Sequence, residues 1–326
     1  MIGVDFAGPL TLAPNLRLDL RQNRRCFTKA HIALSTCAVT RAVHIELCED
    51  TSAVKFLQAF RRFTSRRGIC SSVYSDNAKT FKTAAKELHE IRNVLRDPLV
   101  QDHSSARGIQ WHFIVERAPW WGGFYERLIR SVKTAIRKTL SRRLIDFAEM
   151  RTLLTEVEAM INSRPLTFVY SDDDEPVPLT PASMIIGIRL LSRPATNSTP
   201  STEVLEDAAQ SNKTMHAMWK RRDEYIDAVW ERWQREYSTE LRSAHHSKTK
   251  GQCNIDVGDV VIIKEPGVNR LVWKLGLVER TLPGSDGGVR VCLLRTPEQK
   301  LIRCAIQHIY KLETSGHHDT SPGGRL

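Results

Sequence analysis

The sequence predicts an α/β fold, with a five-stranded mixed sheet flanked by helices over residues 1–186 and a long helix and small β-barrel after it. Three observations carry that expectation. Strand-like runs open the chain and then alternate with helices. Two strongly periodic helices follow, over 124–140 and 147–162. Beyond residue 254, short apolar runs are separated by Gly turns, as in small barrels.

The elements follow in order. Residues 1–10 read as a short strand that breaks at Gly8-Pro9, and 11–28 as a polar, Arg-rich loop. Residues 29–38 and 41–48 read as two further strands with a tight connection. Asp50-Thr51-Ser52 offers N-cap candidates for a helix that places Ala53, Phe56, Phe60 and Phe63 on one face and stops at Gly68. A strand over Ile69–Tyr74 delivers Asp76. Residues 79–95 are helical by period, 110–115 form a fifth strand, and the 147–162 helix carries apolar residues at 150, 153, 154, 157, 160 and 161. Pro194, Asn197, Ser198, Thr199, Pro200 and Ser201 mark residues 187–212 as a linker. A helical connector over 213–245 places Trp219, Ile226, Trp230, Trp233 and Tyr237 on one side. Residues 254–313 form the barrel, and 314–326 a disordered tail.

The balance of 48 Lys and Arg against 37 Asp and Glu leaves a net charge of +11 and a pI near 9.5. So basic a chain points to a polyanionic partner, nucleic acid first among them. No run approaches the roughly 18 apolar residues of a membrane span, and the N-terminus lacks a secretory pattern. The seven cysteines are scattered, with no CxxC pair. That fits reduced thiols in the nucleus or cytoplasm and argues against a zinc site.

Three acidic residues carry the chemistry: Asp5 in Gly-Val-Asp-Phe-Ala-Gly-Pro-Leu, Asp76 in Tyr-Ser-Asp-Asn, and Glu126 after Pro-Trp-Trp-Gly-Gly-Phe-Tyr. The first two sit at strand ends, where ligands of α/β folds gather, and the third sits in a helix's first turn. Carboxylates so placed can hold two divalent cations about 4 Å apart for in-line attack on a phosphodiester. Singly, each is also an ordinary turn or cap residue. At 100° per residue, Glu126, Arg130, Lys133 and Arg137 share a sector about 60° wide, with Phe124, Leu128, Val132 and Ile136 opposite. That face is either a solvated one with a Glu126–Arg130 pair or a ridge that tracks phosphates without sequence preference. Asp172-Asp173-Asp174-Glu175 reads as a solvated turn.

The three acidic blocks, with the third extended through Glu126-Arg-Leu-Ile-Arg-Ser-Val-Lys133, resemble the three signatures of a retroviral-type integrase catalytic core. The details are most similar to integrases of BEL/Pao long-terminal-repeat retrotransposons. Met160-Ile-Asn-Ser-Arg-Pro-Leu-Thr167 and Pro178-Leu-Thr-Pro-Ala-Ser183 resemble segments that follow the core there, and 213–313 resembles the domain of undefined function that trails it. The resemblance implies an RNase H-like core, an SH3-like barrel and a catalytic, metal-binding triad of Asp5, Asp76 and Glu126. It also implies two Mg²⁺ or Mn²⁺ ions. The implied activity is 3′-end trimming of element DNA and attack of the new 3′-hydroxyls on target DNA, with double-stranded DNA as partner and a homo-oligomer as the working state. Asn77, Lys79, Arg130, Lys133 and Arg137 are then the DNA-binding set, and Trp120, Trp121, Gly122 and Gly123 the flexible active-site loop.

Two features depart from the retroviral pattern. Forty-nine residues separate Asp76 from Glu126, more than retroviral cores carry, and the surplus over 82–108 marks the BEL/Pao subclass. The His/Cys zinc module expected upstream is absent from this chain, so Met1 reads as an interior methionine of a longer polyprotein. The alternatives to an active integrase are a decayed or domesticated copy that binds nucleic acid without catalysis, and a generic RNase H-like nuclease. The Pro-Trp-Trp-Gly-Gly block and the barrel disfavour the latter.

Overall fold

A computed structural model describes residues 1–13, 27–95, 109–114, 123–140, 143, 145–170, 176–187, 206–245, 255–264, 273–284 and 288–313. The chain divides into two compact units, Met1–Ile161 with Ala195–Gln234, and Asn162–Pro194 with Arg235–Leu326.

The first unit holds a five-stranded sheet in the order β3-β2-β1-β4-β5. Strands β1 (Ile2–Leu12), β2 (Thr28–Cys37) and β3 (Val43–Cys48) form an antiparallel meander. On the other side of β1, β4 (Ser72–Ser75) and β5 (Gln110–Phe113) run parallel to it. Parallel neighbours need long crossovers, and the helices α1 (Ala53–Arg67) and α2 (Lys79–Leu95) lie within those connections. This is the mixed, helix-flanked sheet expected from the sequence.

Alternation along β1 sorts its side chains between two faces. Ile2 and Val4 join Phe56, Phe60, Phe63, Val73, Phe81 and Ala84 in one core, with Phe6 and Trp111 packed against it. Phe6 stacks on Phe81 with ring centroids 5.3 Å apart, and Phe56 meets Phe81 edge-on at 5.1 Å. The 3–4 spacing of phenylalanines on α1 therefore has its physical purpose in this core. Ser52 caps that helix by accepting the Lys55 amide at 3.4 Å. Gly3 and Asp5 take the opposite face, which receives α3 (Gly123–Leu140). The apolar stripe of α4 (Phe147–Asn162) is buried as its period predicts: Met150, Leu153, Leu154, Val157, Met160 and Ile161 are all inaccessible.

The structure corrects several boundaries. Strand β1 does not end at Gly8-Pro9. It continues through a cis peptide there to Leu12, and its register with β2 shifts between Ala7 and Leu10. A bulge absorbs the proline, which has no amide hydrogen to give the ladder. The strand expected over Ile69–Tyr74 is Ser72–Ser75, and Ile69 is 76% exposed. The helix expected from residue 213 begins seven residues earlier: α6 runs Glu206–His245, so the end of the expected linker is helical. Residues 188–205, Asp172–Glu175 and 314–326 lie outside the described residues.

Edge strand β3 is held by buried charges. The Ile45 amide donates to Glu158 Oε2 on α4 at 2.8 Å. His44 Nδ1 lies 3.2 Å from the same oxygen, and its Nε2 lies 3.3 Å from Glu46 Oε1, off the line of a hydrogen bond. Arg62 and Arg66 pair with Glu46 at 2.6 and 2.8 Å, and Arg67 with Glu158 at 2.6 Å. Burial alone would lower the His44 pKa, but its contacts with Glu158 and Glu46 raise it above the ordinary value. Burial would raise both glutamates, and the contacts with His44 and the arginines hold them low instead.

The signs set a pH window. Stabilisation from His44 is complete below its unfolded pKa of about 6.5 and is lost as pH rises through the higher folded value. Stabilisation from the glutamates is present above about 4.3 and is lost as pH falls through their lowered folded values. Urea denaturation is expected to show a loss of stability between mildly acidic and alkaline pH that disappears in His44→Gln. An unchanged pH slope in that variant would remove His44 as the cause.

In the second unit, β6 (Thr167–Tyr170) and β7 (Pro176–Leu179) form a hairpin that leads into α5 (Pro181–Ile186). Thr180 and Ser183 make a reciprocal capping box at the start of α5, Pro181 sits in its first turn, and Gly187 ends it in the left-handed conformation. Five strands form an antiparallel sheet in the order β11-β10-β9-β8-β12, from β8 (Val260–Ile263), β9 (Lys274–Pro283), β10 (Val289–Arg295), β11 (Leu301–Ala305) and β12 (Ile309–Lys311). Its core gathers Ile255, Val261, Ile263, Val278, Cys292, Leu294 and Ile309. The expected barrel is not closed: among the described residues, β11 and β12 remain opposite edges.

Helix α6 contributes Ile226, Trp230 and Trp233 to the first unit's core and Tyr237 and Leu241 to the second's. Trp219, expected on the same side, is 42% exposed. Among the described residues no helix is long and apolar enough to cross a membrane. None of the five described cysteines (37, 48, 70, 292, 304) is in a disulfide.

Candidate functional site

The site begins with strand register. Val4 on β1 pairs with Ser75 on the parallel strand β4. Asp5 and Asp76 each follow that pair by one residue. Asp5 alternates with the core residue Val4 along β1 and so belongs to the face that takes α3, whereas Asp76 is the first residue after β4. Asp5 is not at the end of its own strand, as the sequence suggested. It lies mid-strand, whereas β4 stops at Ser75, one residue before Asp76.

Each aspartate has a distinct anchor. Asp76 is exposed, and its Oδ1 accepts the Ala78 amide at 3.1 Å, which closes a turn into α2. Asn77 donates from Nδ2 to the Ile114 carbonyl at 2.7 Å and so ties the loop after β4 to the end of β5. Below them Trp111 Nε1 donates to Ser75 Oγ at 2.9 Å, and that hydroxyl donates to the Asp76 carbonyl at 3.0 Å. Asp5 Oδ2 accepts from Lys133 Nζ at 2.5 Å.

Glu126 arrives on α3, and Gly3 sets how close that helix comes. A Cβ on Gly3 would lie 2.8 Å from Tyr125 Cβ and closer still to Tyr125 Cγ and Cδ1. Only a residue without a side chain lets Tyr125 sit directly on β1. Tyr125 is 2% exposed, and its phenol pKa is raised well above the ordinary value, first by burial and then by Glu126, Asp5 and Asp76. All three carboxylates thus act electrostatically on one buried hydroxyl. Glu126 itself is half-buried in the first turn, where the helix dipole favours its charge.

Among the described residues no three His, Cys, Asp or Glu side chains come close enough together to hold a metal ion. Asp5 and Asp76 each follow a residue of the Val4–Ser75 pair, Glu126 lies in the first turn of α3, and the three form no such ligand set. Carboxylates are the donor type that Mg²⁺ and Mn²⁺ take, but the described residues assemble no group of them around one point.

The basic residues separate. Arg130 and Arg137 are exposed, as is Lys79 at the start of α2, whereas Lys133 is drawn inward to Asp5. Trp120, Trp121 and Gly122 lie outside the described residues, and Gly123 opens α3. Sequence reasoning missed the role of Tyr125 and the pairing of Lys133 with Asp5. The Gly-Val-Asp block did contain a signal for the first, because a glycine two residues before a strand aspartate marks a close approach on that face.

Residues 217–312 match the model of a family of unknown function, DUF5641. No curated protein matches the chain. Among solved structures, the chain is similar to one from the simian T-cell lymphotropic virus intasome in complex with PP2A regulatory subunit B56 gamma, at 12% identity and a TM-score of 0.34, over 95% of this chain and 77% of that one. It is also similar to the catalytic core domain of BIV integrase, at 15% identity and a TM-score of 0.32, over 55% of this chain and 93% of that one.

Proposed function

We propose that this chain is the catalytic region of a retrotransposon integrase of the BEL/Pao type, which joins the 3′ ends of element DNA to target DNA. The observation that carries the reading is the register of β1 and β4, in which the paired residues Val4 and Ser75 immediately precede Asp5 and Asp76, with Glu126 in the first turn of α3. The signature blocks around the three acids support it from the sequence.

Asp5 and Asp76 would hold the divalent ions, with Glu126 completing the set. Bound there, the ions would supply Lewis-acid stabilisation of the phosphodiester and of the departing oxygen. The chain's own residues position the strands. Exposed Arg130 and Arg137, with Lys79, would track DNA phosphates and bind every sequence alike. A DNA 3′-hydroxyl attacks and a 3′-oxygen leaves, so no covalent enzyme intermediate forms. The second unit's open sheet exposes Lys274, Arg280 and Arg290, a basic set suited to further DNA contact in a barrel-like module. A nuclear site of action and a homo-oligomeric assembly follow from the same reading.

The direct assay incubates the chain with pre-trimmed duplex and plasmid target in Mn²⁺. Joined products that vanish on chelation are expected. Salt-sensitive DNA binding without any joining would favour the non-catalytic reading instead.

A further inference from the structure

We infer that the stacked rings of Tyr74 and His112 form a platform for one unpaired DNA base. The inference rests on the reading of the chain as a DNA-joining protein.

The platform follows from strand pairing. Gly3 pairs with Tyr74, and Tyr74 pairs with His112, so one row crosses β1, β4 and β5 on a single face. Val73, Trp111 and Phe113 take the opposite face, toward the core. Helix α3 covers the β1 end of the row, where Tyr125 sits on Gly3. At the other end Gln110 and His112 are exposed. The Tyr74 and His112 rings lie 21° from parallel, with centroids 4.8 Å apart. Among the described residues β5 is an edge strand, so no further strand covers the second face of the His112 ring.

A cross-strand aromatic pair ordinarily seals apolar surface. Here the next pair on the same face is Ser72 with Gln110, so the rings stand on a polar stretch of sheet. What an exposed ring stack offers there is a flat π-face. A basic chain that binds DNA meets planar rings in the bases, which stack on protein aromatics with little regard to sequence. The same segment supplies positive charge for the phosphates. Lys79 and Lys82 are exposed in the first turn of α2, which holds no acidic residue, and Asp76 just before it already accepts the Ala78 amide. The loop between rings and lysines is tied down. Asn77 donates to the Ile114 carbonyl at 2.7 Å, and the Ile114 amide donates to the Ser75 carbonyl at 3.0 Å. Bases within a duplex keep their faces covered, so the platform takes a base from a frayed or overhanging end.

Two short duplexes test this, one blunt and one with an overhanging 2-aminopurine, whose fluorescence falls when it stacks. The full chain is expected to bind the overhanging duplex about tenfold more tightly than the blunt one and to quench the probe. His112→Ala should lose both the preference and the quenching, with its affinity for the blunt duplex unchanged. His112→Phe should restore both. His112→Leu keeps apolar packing on Tyr74 without a ring, so it should fold, by circular dichroism and thermal midpoint, and fail to quench. Quenching that persists in His112→Ala or His112→Leu overturns the platform and leaves DNA binding standing, as does wild-type binding without quenching. Wild type that binds neither duplex removes the DNA reading itself.

Discussion

Asp76→Asn is expected to abolish strand joining, with a loss on the order of a thousandfold, or roughly 4 kcal/mol of transition-state stabilisation. The substitution is nearly isosteric. The new side-chain oxygen can still accept the Ala78 amide that Asp76 Oδ1 now accepts at 3.1 Å, so the turn into α2 survives. What disappears is a formal charge and a hard anionic donor. DNA binding should persist with its salt dependence, because the exposed basic residues are untouched. The check is Mn²⁺-dependent joining of a pre-trimmed duplex, alongside circular dichroism and a salt series of DNA affinity. Full activity in this variant would sink the assignment of Asp76 to the reacting centre.

The second large effect is structural. Arg164 is fully buried, and its Nε lies 3.0 Å from Glu313 Oε1. Tyr237 on α6 donates its hydroxyl to the same oxygen at 3.0 Å, and its phenol is raised far above the ordinary pKa, by burial first and Glu313 next. Trp273 meets the Tyr237 ring edge-on at 6.0 Å. The segment after α4, the long helix and the chain beyond β12 therefore converge in the second unit on an ion pair whose guanidinium is buried and whose carboxylate is partly exposed. Arg164→Met should cost about 2–4 kcal/mol, because the fully buried guanidinium that pairs with the partly exposed Glu313 carboxylate is lost. Urea denaturation checks this, and the double variant Arg164→Met with Glu313→Gln should recover part of the loss. A cost below about 1 kcal/mol, the range of an exposed pair, would show that the pair is not the clamp of this unit.

Much of this was legible beforehand, for identifiable reasons. Helices α3 and α4 announced themselves because burial on one face repeats every 3.6 residues, and α4 lies where its period put it. The central sheet was readable from clustered β-branched runs followed by alternation with helices. Boundaries were less so. Pro9 reads locally as a strand end, but β2 pairs on both sides of the irregularity and carries β1 on to Leu12. The hairpin of β6 and β7 escaped detection because its prolines and short strands lack a clear period, and its pairing is decided by register across a turn.

The sequence by itself determined which residue types could do the chemistry. Three carboxylates stand in distinctive blocks, one at the head of a basic helix, in a chain of net charge +11. Those facts are local, since composition, periodicity and cap chemistry act over a few residues. Only the tertiary structure decided the rest. Asp5 and Asp76 came to follow paired residues through parallel pairing of strands some seventy positions apart, and Lys133 became a partner of Asp5 on the face where Gly3 leaves room for Tyr125. Arg164, read in the sequence only as part of the Met160–Thr167 segment, became a buried partner of Glu313. Side-chain charge is written in the chain, but its energetic meaning depends on what folding brings within a few ångströms of it.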